Sequence, residues 1–379
     1  MKVTRDQALR HRWRVQQLSA APDSVGSATD VAILDLGVQS GAGDAGRLAL
    51  RNRGVSSDEA QRVTTGFTDD LALVWSVRGA PHFYRRDDLR DVERAVWPVS
   101  PADAAKRSAG AARDPIDHLA GMVTIAEHVR AALSEPMTKG EVSASTRETL
   151  PPELLVDCRP CGVTHVHEQL LRIATIHGGV ELEPGTNPPN LRRVPGWRRK
   201  PAPDDPLTAD SRHRLAEGYL HFLGPATPKD LAAFCETTVG EAKKLWPTEG
   251  LVEVDRAGEK AWILADDVDA LTEAAAPGEP DQIRLLNGFD LFLAAKDRHL
   301  LTDGDNARHK QLWPILGRPG VIVADGIPVG TWRPRSKGRA LRILVDWWVK
   351  PTKARLAATE AAAAVLTGRD QEFAGFSDK

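Results

Sequence analysis

One order of elements constrains the fold of this chain more than any other feature: three short helices followed by a two-stranded hairpin. It is clearest over residues 208–264, where apolar residues first recur at helical spacing and then alternate on both sides of a turn at residues 255–258. Thr208, Thr227 and Thr238 are the predicted N-caps of these helices. The order is typical of a winged helix, a helix-turn-helix variant whose third helix enters a DNA groove.

The N-terminal half of the chain repeats this order less regularly. The first copy is predicted to have a hairpin that ends near Arg86 and helices over residues 4–18, 29–36, 44–53 and 57–64. The second is predicted to have a wing formed by residues 178–185 and 190–197, and helices over residues 115–133, 139–149 and 163–176. Loose copies without a shared short motif indicate duplicated domains and not a solenoid.

Clusters of proline and glycine at residues 98–115, 201–206 and 274–281 divide the chain into four predicted domains. Three winged helices are predicted at residues 1–98, 99–200 and 201–276. Residues 277–379 differ in character, because β-branched and apolar residues alternate around the turn pairs Asp325-Gly326 and Lys337-Gly338 before a helix over residues 353–366. We therefore expect an α+β protein in which three tandem winged helices precede a small β-rich, barrel-like module.

The charge of the chain is balanced in total but uneven in distribution. Fifty Lys and Arg residues against 52 Asp and Glu give a net charge of −2, which by itself argues against a nucleic-acid partner. Residues 333–355, however, hold eight basic residues and one acid, interleaved with tryptophans. Such a hairpin binds DNA phosphates or a minor groove; the alternative is a solvated basic hairpin above a tryptophan core. The predicted DNA contacts here are Arg333, Arg335, Lys337, Arg339 and Arg342.

Further candidate DNA contacts lie outside this hairpin. Lys243 and Lys244 are on the exposed face of a predicted third helix, and Arg298 is another candidate. Arg198 and Arg199 belong to a basic run that is either a wing against the DNA backbone or a solvated linker. The predicted partner is double-stranded DNA, which three modules in one chain are expected to surround as a monomer.

The cysteines are too few and too unevenly spaced for a disulfide framework. Cys158, Cys161, His165 and His167 form the candidate metal site, because two thiolates and two imidazoles suit tetrahedral zinc. The histidines lie closer together, and closer to the cysteines, than in a typical structural zinc site. The alternative is a pair of buried thiols before a helix that carries the histidines on its first turn. We expect no cofactor.

Gln39 lies in the segment LDLGVQSGAGDAG, between a predicted helix and a glycine-rich turn that matches neither a dinucleotide nor a Walker fingerprint. Its residue type alone indicates a polar cap. His82, Asp290 and Asp325 are interpreted as structural or turn residues, since no Ser-His-Asp or paired-carboxylate signature occurs. No run of about 18 apolar residues occurs and the N-terminus lacks an apolar centre, so we expect a cytoplasmic protein without a membrane partner.

Several stretches of the sequence resemble the AlkZ/YcaQ-type winged-helix DNA glycosylases. They are LDLGVQS, CRPCGVTHVHEQLLRIA, YLHFLGPATPKDLAAF, LLNGFDLFLAAKDR and GVIVADGIPVGTWR. The resemblance covers nearly the whole chain and implies a monofunctional enzyme that removes bulky or crosslinked N-alkylated purines from duplex DNA. It further implies a role in DNA repair or in self-resistance to an alkylating agent, and a basic channel between the winged helices that holds the DNA.

In that family, a Gln-aliphatic-Gln or Gln-aliphatic-Asp motif positions the hydrolytic water and supports charge on the deoxyribose. The corresponding triplet here is Gly37-Val38-Gln39, which keeps the last position and lacks the first. The resemblance thus assigns the catalytic role to Gln39. A cationic N7-alkylpurine is already a good leaving group, so an amide that orients water suffices without a strong base. Two alternatives stay open: a non-catalytic DNA-binding protein that regulates transcription or sequesters lesions, and winged helices that bind proteins.

Overall fold

The computed structural model describes residues 1–41, 44–108, 116–160, 162–197, 206–278, 282–337, 340–363, 366 and 372–378. Its fold is mixed α+β, as predicted. The division into three winged helices and a C-terminal module stays a prediction. The described α-helices are α1 (Arg5–Val15), α2 (Ala45–Arg51), α3 (Ser57–Val63), α4 (Leu89–Ala95), α5 (Pro101–Arg107), α6 (His118–Ala132), α7 (Lys139–Arg147), α8 (Glu168–Thr175), α9 (Pro206–Leu223), α10 (Pro228–Cys235), α11 (Val239–Leu245), α12 (Val268–Glu273), α13 (Arg298–Thr302), α14 (Asn306–Leu312) and α15 (Lys353–Ala363).

The strands of the described residues form four sheets, and two of these sheets combine predicted domains. The described strands are β1 (Lys2–Val3), β2 (Val38–Gln39), β3 (Leu71–Trp75), β4 (Pro81–Arg85), β5 (Met137–Thr138), β6 (Leu155–Cys158), β7 (Val163–Val166), β8 (Val180–Leu182), β9 (Asn190–Arg193), β10 (Leu251–Arg256), β11 (Glu259–Leu264), β12 (Ile283–Leu286), β13 (Gly320–Ala324), β14 (Ile327–Lys337), β15 (Ala340–Trp347) and β16 (Glu372–Asp378). A six-stranded sheet has the order β2-β4-β3-β8-β9-β5. In this sheet the predicted wings of the first two predicted domains, β3–β4 and β8–β9, meet edge to edge. In a three-stranded sheet, β1 pairs in parallel with β10, so the N-terminal strand joins the hairpin of the third predicted domain.

The order predicted for residues 208–264 is observed, since α9, α10 and α11 precede the antiparallel hairpin β10–β11. Thr227 and Thr238 cap α10 and α11 as predicted, because each side-chain oxygen accepts a hydrogen bond from a first-turn amide. Thr208, in contrast, is not an N-cap. Helix α9 already begins at Pro206, and a proline at the first helical position has no amide hydrogen to leave unpaired.

The helix predicted over residues 29–36 is wrong. Two short 3-10 turns, Ala28–Asp30 and Ala32–Asp35, replace it, and Val31 between them is extended. The guanidinium of Arg85 donates to the carbonyl oxygens of Thr29 at 2.6 Å and Val31 at 3.0 Å. A continuous helix needs these carbonyls for its own hydrogen bonds, so Arg85 stabilises the broken form. As a result, Gln39 lies on a strand and not at the end of a helix.

The C-terminal residues form a five-stranded sheet that curls strongly, in the order β12-β13-β14-β15-β16. Strands β12 to β15 are an antiparallel meander, and β16 adds in parallel to β15. Asp325 and Gly326 both have positive φ, as a tight two-residue hairpin turn requires. The second predicted turn includes Gly338, which lies outside the described residues. The apolar run after β12 forms a 3-10 turn at Leu291–Leu293 and helix α13, and is not a strand.

A buried ion-pair network joins the N-terminal helix to distant parts of the chain. Asp297, just before α13, accepts hydrogen bonds from Arg12 of α1 at 2.9 Å and from Arg256 of β10 at 2.7 Å. Burial opposes ionisation of Asp297, but the two arginines hold its pKa below the ordinary value. This network fixes α13 and the residues just before it relative to α1. No helix in the described ranges is long and apolar enough to cross a membrane.

Candidate functional site

Gln39 is positioned by a two-residue strand at the edge of the six-stranded sheet. Strand β2 pairs with β4, so that Val38 lies opposite Phe83 and Gln39 opposite His82. Val38 is buried in the core, whereas Gln39 is half-buried. The alternation of a strand thus anchors one residue of the triplet and leaves the side chain of Gln39 at the surface of a pocket.

The structure explains why residue 37 is glycine. Gly37 has a φ of +93°, and a Cβ atom there would lie 2.5 Å from Cζ of Tyr84. The Tyr84 ring is buried, and its hydroxyl bonds the Ser76 hydroxyl at 2.9 Å and donates to the Leu36 carbonyl at 3.4 Å. Burial raises the pKa of Tyr84 to about 12, so this hydroxyl stays protonated. The space that a side chain at position 37 needs is therefore filled by Tyr84.

A buried hydrogen-bond network continues from Tyr84 beneath β2. Ser76 also bonds Nδ1 of His82 at 3.0 Å, and the same ring nitrogen lies 2.9 Å from the Ala80 carbonyl. Burial, and then the nearby Arg78, lower the pKa of His82 to about 3. His82 is therefore neutral at physiological pH, in agreement with its interpretation as a structural residue. Asp290 and Asp325 are paired with arginines, Arg53 at 2.9 Å and Arg10 at 2.9 Å, which supports the same interpretation for both.

Arg78 holds the amide of Gln39. Its guanidinium donates to Oε1 of Gln39 at 3.2 Å and to the carbonyl of Phe234 at 2.9 Å, and it lies over the Phe234 ring at 4.8 Å. Burial lowers the pKa of Arg78, and the carboxylate of Glu236 opposes this shift. Arg78 thereby links the end of β2 to the end of α10. The contact also fixes which end of the Gln39 amide is oxygen.

Gln39 and Arg78 line a pocket of about 280 Å³ between the β2 edge and the residues around α13. Asp290 already accepts hydrogen bonds from Nη1 and Nη2 of Arg53, so it does not neutralise the pocket. Four cationic side chains then face one carboxylate, Glu236. The polar lining among the described residues is Gln39, Arg78, Glu236, Asp290, Lys296, Arg298 and Arg318.

Two further arginines of this pocket lie over aromatic rings, as Arg78 does. Arg298 lies over Trp313 at 4.7 Å and Arg318 over Phe289 at 5.2 Å. No carboxylate of the described chain forms an ion pair with Lys296, Arg298 or Arg318. Burial, and then the neighbouring arginines, lower the pKa of Lys296 to about 8. A pocket with this excess of positive charge attracts anions.

A larger cavity of about 690 Å³ adjoins this pocket and is more apolar. The two share Gly288, Phe289 and Arg318. Trp332 of β14 and Leu316 of the loop before β13 form part of its wall. Apolar and cationic surfaces therefore meet at Phe289 and Arg318.

The basic hairpin β14–β15 brings like charges together. Arg335 lies directly opposite Arg342 in the register, and both are exposed, as is Arg333. Like charges in opposite positions destabilise a sheet, so this arrangement favours an anionic ligand. Arg333 is close to the loop before β13, since a Cβ built on Gly317 would lie 3.7 Å from its Nη1. Lys337 ends β14, and Arg339 lies outside the described residues.

Lys243 and Lys244, two of the remaining predicted DNA contacts, are not part of the Gln39 pocket. Lys243 and Lys244 are exposed on α11, and Lys244 forms an ion pair with Glu241 at 2.8 Å. Arg198 and Arg199 lie outside the described residues. Of the predicted contacts, the structure brings Arg298 together with Gln39, while the roles of all of them stay predictions.

The cysteine–histidine segment folds differently from the prediction. The helix predicted over residues 163–176 is wrong for its first part, because β7 pairs with β6 and places His165 opposite Val156. Thr164 donates to the Asp157 carboxylate at 2.6 Å, which stabilises this hairpin over a helix. Cys158 and His165 therefore lie on strands, and His167 precedes α8. Cys161 lies outside the described residues. Among the described residues, this segment holds no group of three side chains that could bind a metal ion.

Sequence reasoning missed Arg78, Lys296, Arg318 and Glu236 as residues of the site. Lys296 lies two positions before Arg298 within the stretch LLNGFDLFLAAKDR, so that stretch contained the available signal. Arg78 lies in the turn between β3 and β4 with a φ of 63° and carries no sequence signature. Glu236 and Arg318 reach the pocket only through the tertiary fold.

Comparisons with known proteins identify a family and a similar fold. The model of the AlkZ-like family, described as DNA glycosylase AlkZ-like, matches residues 36–367. The fold is similar to that of the Streptomyces sahachiroi DNA glycosylase AlkZ, with a TM-score of 0.74 and 19% sequence identity over 100% of both chains. No curated protein sequence matches the chain. Because the family model spans most of the chain and includes Gln39, this protein belongs to the AlkZ-like DNA glycosylase family.

Proposed function

We propose that this protein is a monofunctional DNA glycosylase that hydrolyses the N-glycosidic bond of N7- or N3-alkylated purines in duplex DNA. Its biological role is then DNA repair or self-resistance to an alkylating agent. The observation that carries the proposal is the pocket in which Gln39 lies beside Lys296, Arg298 and Arg318, cations without a carboxylate partner in the described chain. In a complex with DNA, the phosphates on either side of the lesion supply the missing negative charge.

Gln39 orients the hydrolytic water in this proposal. An amide oxygen has two lone pairs, and Arg78 uses one of those on Oε1 of Gln39. The other accepts a hydrogen bond from the water and directs the water oxygen at C1′ of the deoxyribose. The C1′–O bond forms as the purine leaves with the electron pair of the glycosidic bond, and the proton that the water loses passes to solvent. Because Arg78 fixes the amide in advance, little reorganisation is needed when the substrate binds.

Charge decides which lesions suit the pocket. An N7- or N3-alkylated purine is cationic and leaves as a neutral base, so departure needs no general acid. Positive charge develops on the deoxyribose instead, and the cations of the pocket repel this charge as long as they are not neutralised. Bound phosphates remove this repulsion, and Glu236, whose carboxylate forms no ion pair within the described ranges, adds a negative charge on the pocket wall. We therefore expect excision to need duplex phosphates on both sides of the lesion.

The test is base release from a duplex that contains one 7-methylguanine, measured as alkali-labile abasic sites under single-turnover conditions. We expect Gln39→Ala to slow release by about 100- to 1000-fold, as the loss of one preorganised group does, while DNA affinity is retained. Gln61→Ala, on an exposed glutamine of α3, is the matched control and should release base at the wild-type rate. Equal rates for Gln39→Ala and wild type would contradict the proposed role of Gln39.

A non-catalytic lesion-binding protein is the second candidate, and the Gly37 position favours it. Tyr84 fills the space of the first motif side chain, so this site has one amide where the family motif has two polar residues. This candidate predicts lesion binding with a steep salt dependence but no abasic sites from either simple or bulky adducts. Protection of an undamaged operator in a footprint would instead favour a transcriptional regulator.

A further inference from the structure

Two adjacent apolar side chains are almost fully exposed next to the Gln39 pocket. Ile315 is 101% exposed and Leu316 is 85% exposed, whereas the next large apolar side chain of the described chain, Val163, is 52% exposed. Both lie in the loop of residues 313–319 between α14 and β13, and neither packs against the described apolar cores. Exposed apolar groups that lie together mark contact sites more often than ordinary surface.

The loop is held in place at both ends. Pro314 and Pro319 restrict its backbone, and Gly317 turns it with a φ of +64°. Trp313 at its start packs beneath Arg298. The two apolar side chains therefore project from a stiff turn and not from a long tether.

The position of this turn relates it to the chemistry. Ile315 and Leu316 line the 690 Å³ cavity, and Arg318, two residues after Leu316, lines both that cavity and the Gln39 pocket. Arg298, Arg318 and Arg333 surround the turn and form no ion pair in the described ranges. An apolar tip inside a basic rim matches a duplex, whose stacked bases lie between two rows of phosphates. An apolar protein partner does not need the basic rim.

We propose that Ile315 and Leu316 form a wedge that inserts between base pairs beside the lesion while Arg298, Arg318 and Arg333 bind the adjacent phosphates. This inference rests on the proposed function and describes how the site opens the base stack of the duplex. Apolar side chains inserted at a base step unstack it and bend the duplex. The opened step exposes the C1′ atom to the water that Gln39 holds, and the apolar tip fills the space that the unstacked base leaves.

The test uses a duplex with a tetrahydrofuran abasic analogue flanked by 2-aminopurine, whose fluorescence increases when it is unstacked. Because the analogue has no base to release, the readout does not depend on catalysis. We expect wild-type protein to raise the fluorescence severalfold on one flank, and the double variant Ile315→Ser/Leu316→Ser to lose this response. The variant should bind about tenfold more weakly, with the same slope of log affinity against log salt, because only apolar contacts are lost.

The control is Val163→Ser/Leu356→Ser, which removes two other exposed apolar side chains and should keep the full response. Ile315→Leu/Leu316→Met keeps the apolar tip and should keep the response as well. Ile315 and Leu316 are almost fully exposed, so the double serine variant should unfold at the wild-type denaturant concentration. An unchanged response and affinity in the double serine variant would overturn the wedge. The wedge would also be overturned if the wild-type protein is a dimer and the double serine variant is a monomer that still raises the fluorescence.

The wedge and the proposed function fail in different ways. Wild-type protein that binds the lesion duplex and releases 7-methylguanine, but does not raise the fluorescence, refutes only the wedge. Wild-type protein that does not bind the duplex refutes both. A fluorescence response without base release from 7-methylguanine supports the wedge in a lesion-binding protein.

Discussion

Replacing Gly37 by alanine tests whether Tyr84 fills the space beside strand β2. The added Cβ would lie 2.5 Å from Cζ and 2.6 Å from the hydroxyl oxygen of Tyr84, distances that real Cβ atoms essentially never show. Tyr84 is 2% exposed and bonded to Ser76 and Leu36, so a movement of its ring breaks these hydrogen bonds. Either β2 or Tyr84 must shift.

Two separate costs contribute to the loss of stability. An alanine at positive φ costs about 1–2 kcal/mol, and overpacking of a filled core site costs about 1–3 kcal/mol. We therefore expect Gly37→Ala to lower the free energy of unfolding by about 2–5 kcal/mol. Gly37→Gln, which restores the first amide of the family motif, meets the same ring, so we expect no gain in base release from it.

The two costs are separated by urea unfolding of Gly37→Ala, Tyr84→Ala and the double variant, followed by tryptophan fluorescence. With the ring removed, Gly37→Ala should keep only its backbone cost, so its effect should shrink by about 1–3 kcal/mol. The rate of 7-methylguanine release is measured on the same proteins, because a shifted β2 misplaces Gln39. An equal cost of Gly37→Ala in both backgrounds would refute the assignment of the clash to Tyr84.

Three further predictions concern charge. The pKa of Lys296 is lowered to about 8, so Lys296 loses its positive charge as pH rises through 8. DNA affinity, measured by fluorescence anisotropy, should therefore fall over this range, and Lys296→Arg should remove the pH dependence. An equal fall in the variant would exclude Lys296 as its cause. Burial lowers the pKa of His11 from 6.5 to about 4, so between these values the unfolded chain binds a proton that the folded chain does not. The free energy of unfolding should therefore fall with decreasing pH in this window, by about 1 kcal/mol per pH unit. In urea titrations His11→Gln should reduce this dependence of the unfolding free energy on pH. An equal dependence in the variant and the wild type would contradict its assignment to His11. Asp297→Asn leaves Arg12 buried without its carboxylate and Arg256 with only Asp230 and Glu259, which should cost about 3–5 kcal/mol in the same measurement. A loss below about 1 kcal/mol, as for a surface pair, would be inconsistent with a buried network.

The sequence predicts those features of the fold that depend on neighbouring residues. Thr227 and Thr238 cap their helices through side-chain bonds within one turn. The hairpins β3–β4, β10–β11 and β13–β14 follow from alternation and turn residues in the same way. The helix predicted over residues 29–36 fails for the opposite reason, since Arg85, more than 50 positions away, takes its carbonyls.

The candidate site depends on such distant contacts to a greater degree. A family resemblance identified Gln39, and Arg298 was predicted as a DNA contact. The sequence does not indicate that Arg78 holds the Gln39 amide, or that Arg318 reaches the same pocket. Nor does it indicate why the motif lacks its first amide, because Tyr84 meets Gly37 only once β4 lies beside β2.

The parallel pairing of β1 with β10 has consequences for synthesis of the chain. Val3 is opposite Arg256, and Arg12 meets Asp297, so the N-terminal helix obtains its partners only after most of the polypeptide has left the ribosome. Such contacts raise the contact order and slow folding. They also oppose the usual vectorial order, in which the N-terminal portion folds first. Fragments that end before β10 leave β1 without its partner, and fragments that contain β10 without β1 expose an unpaired sheet edge, which favours aggregation.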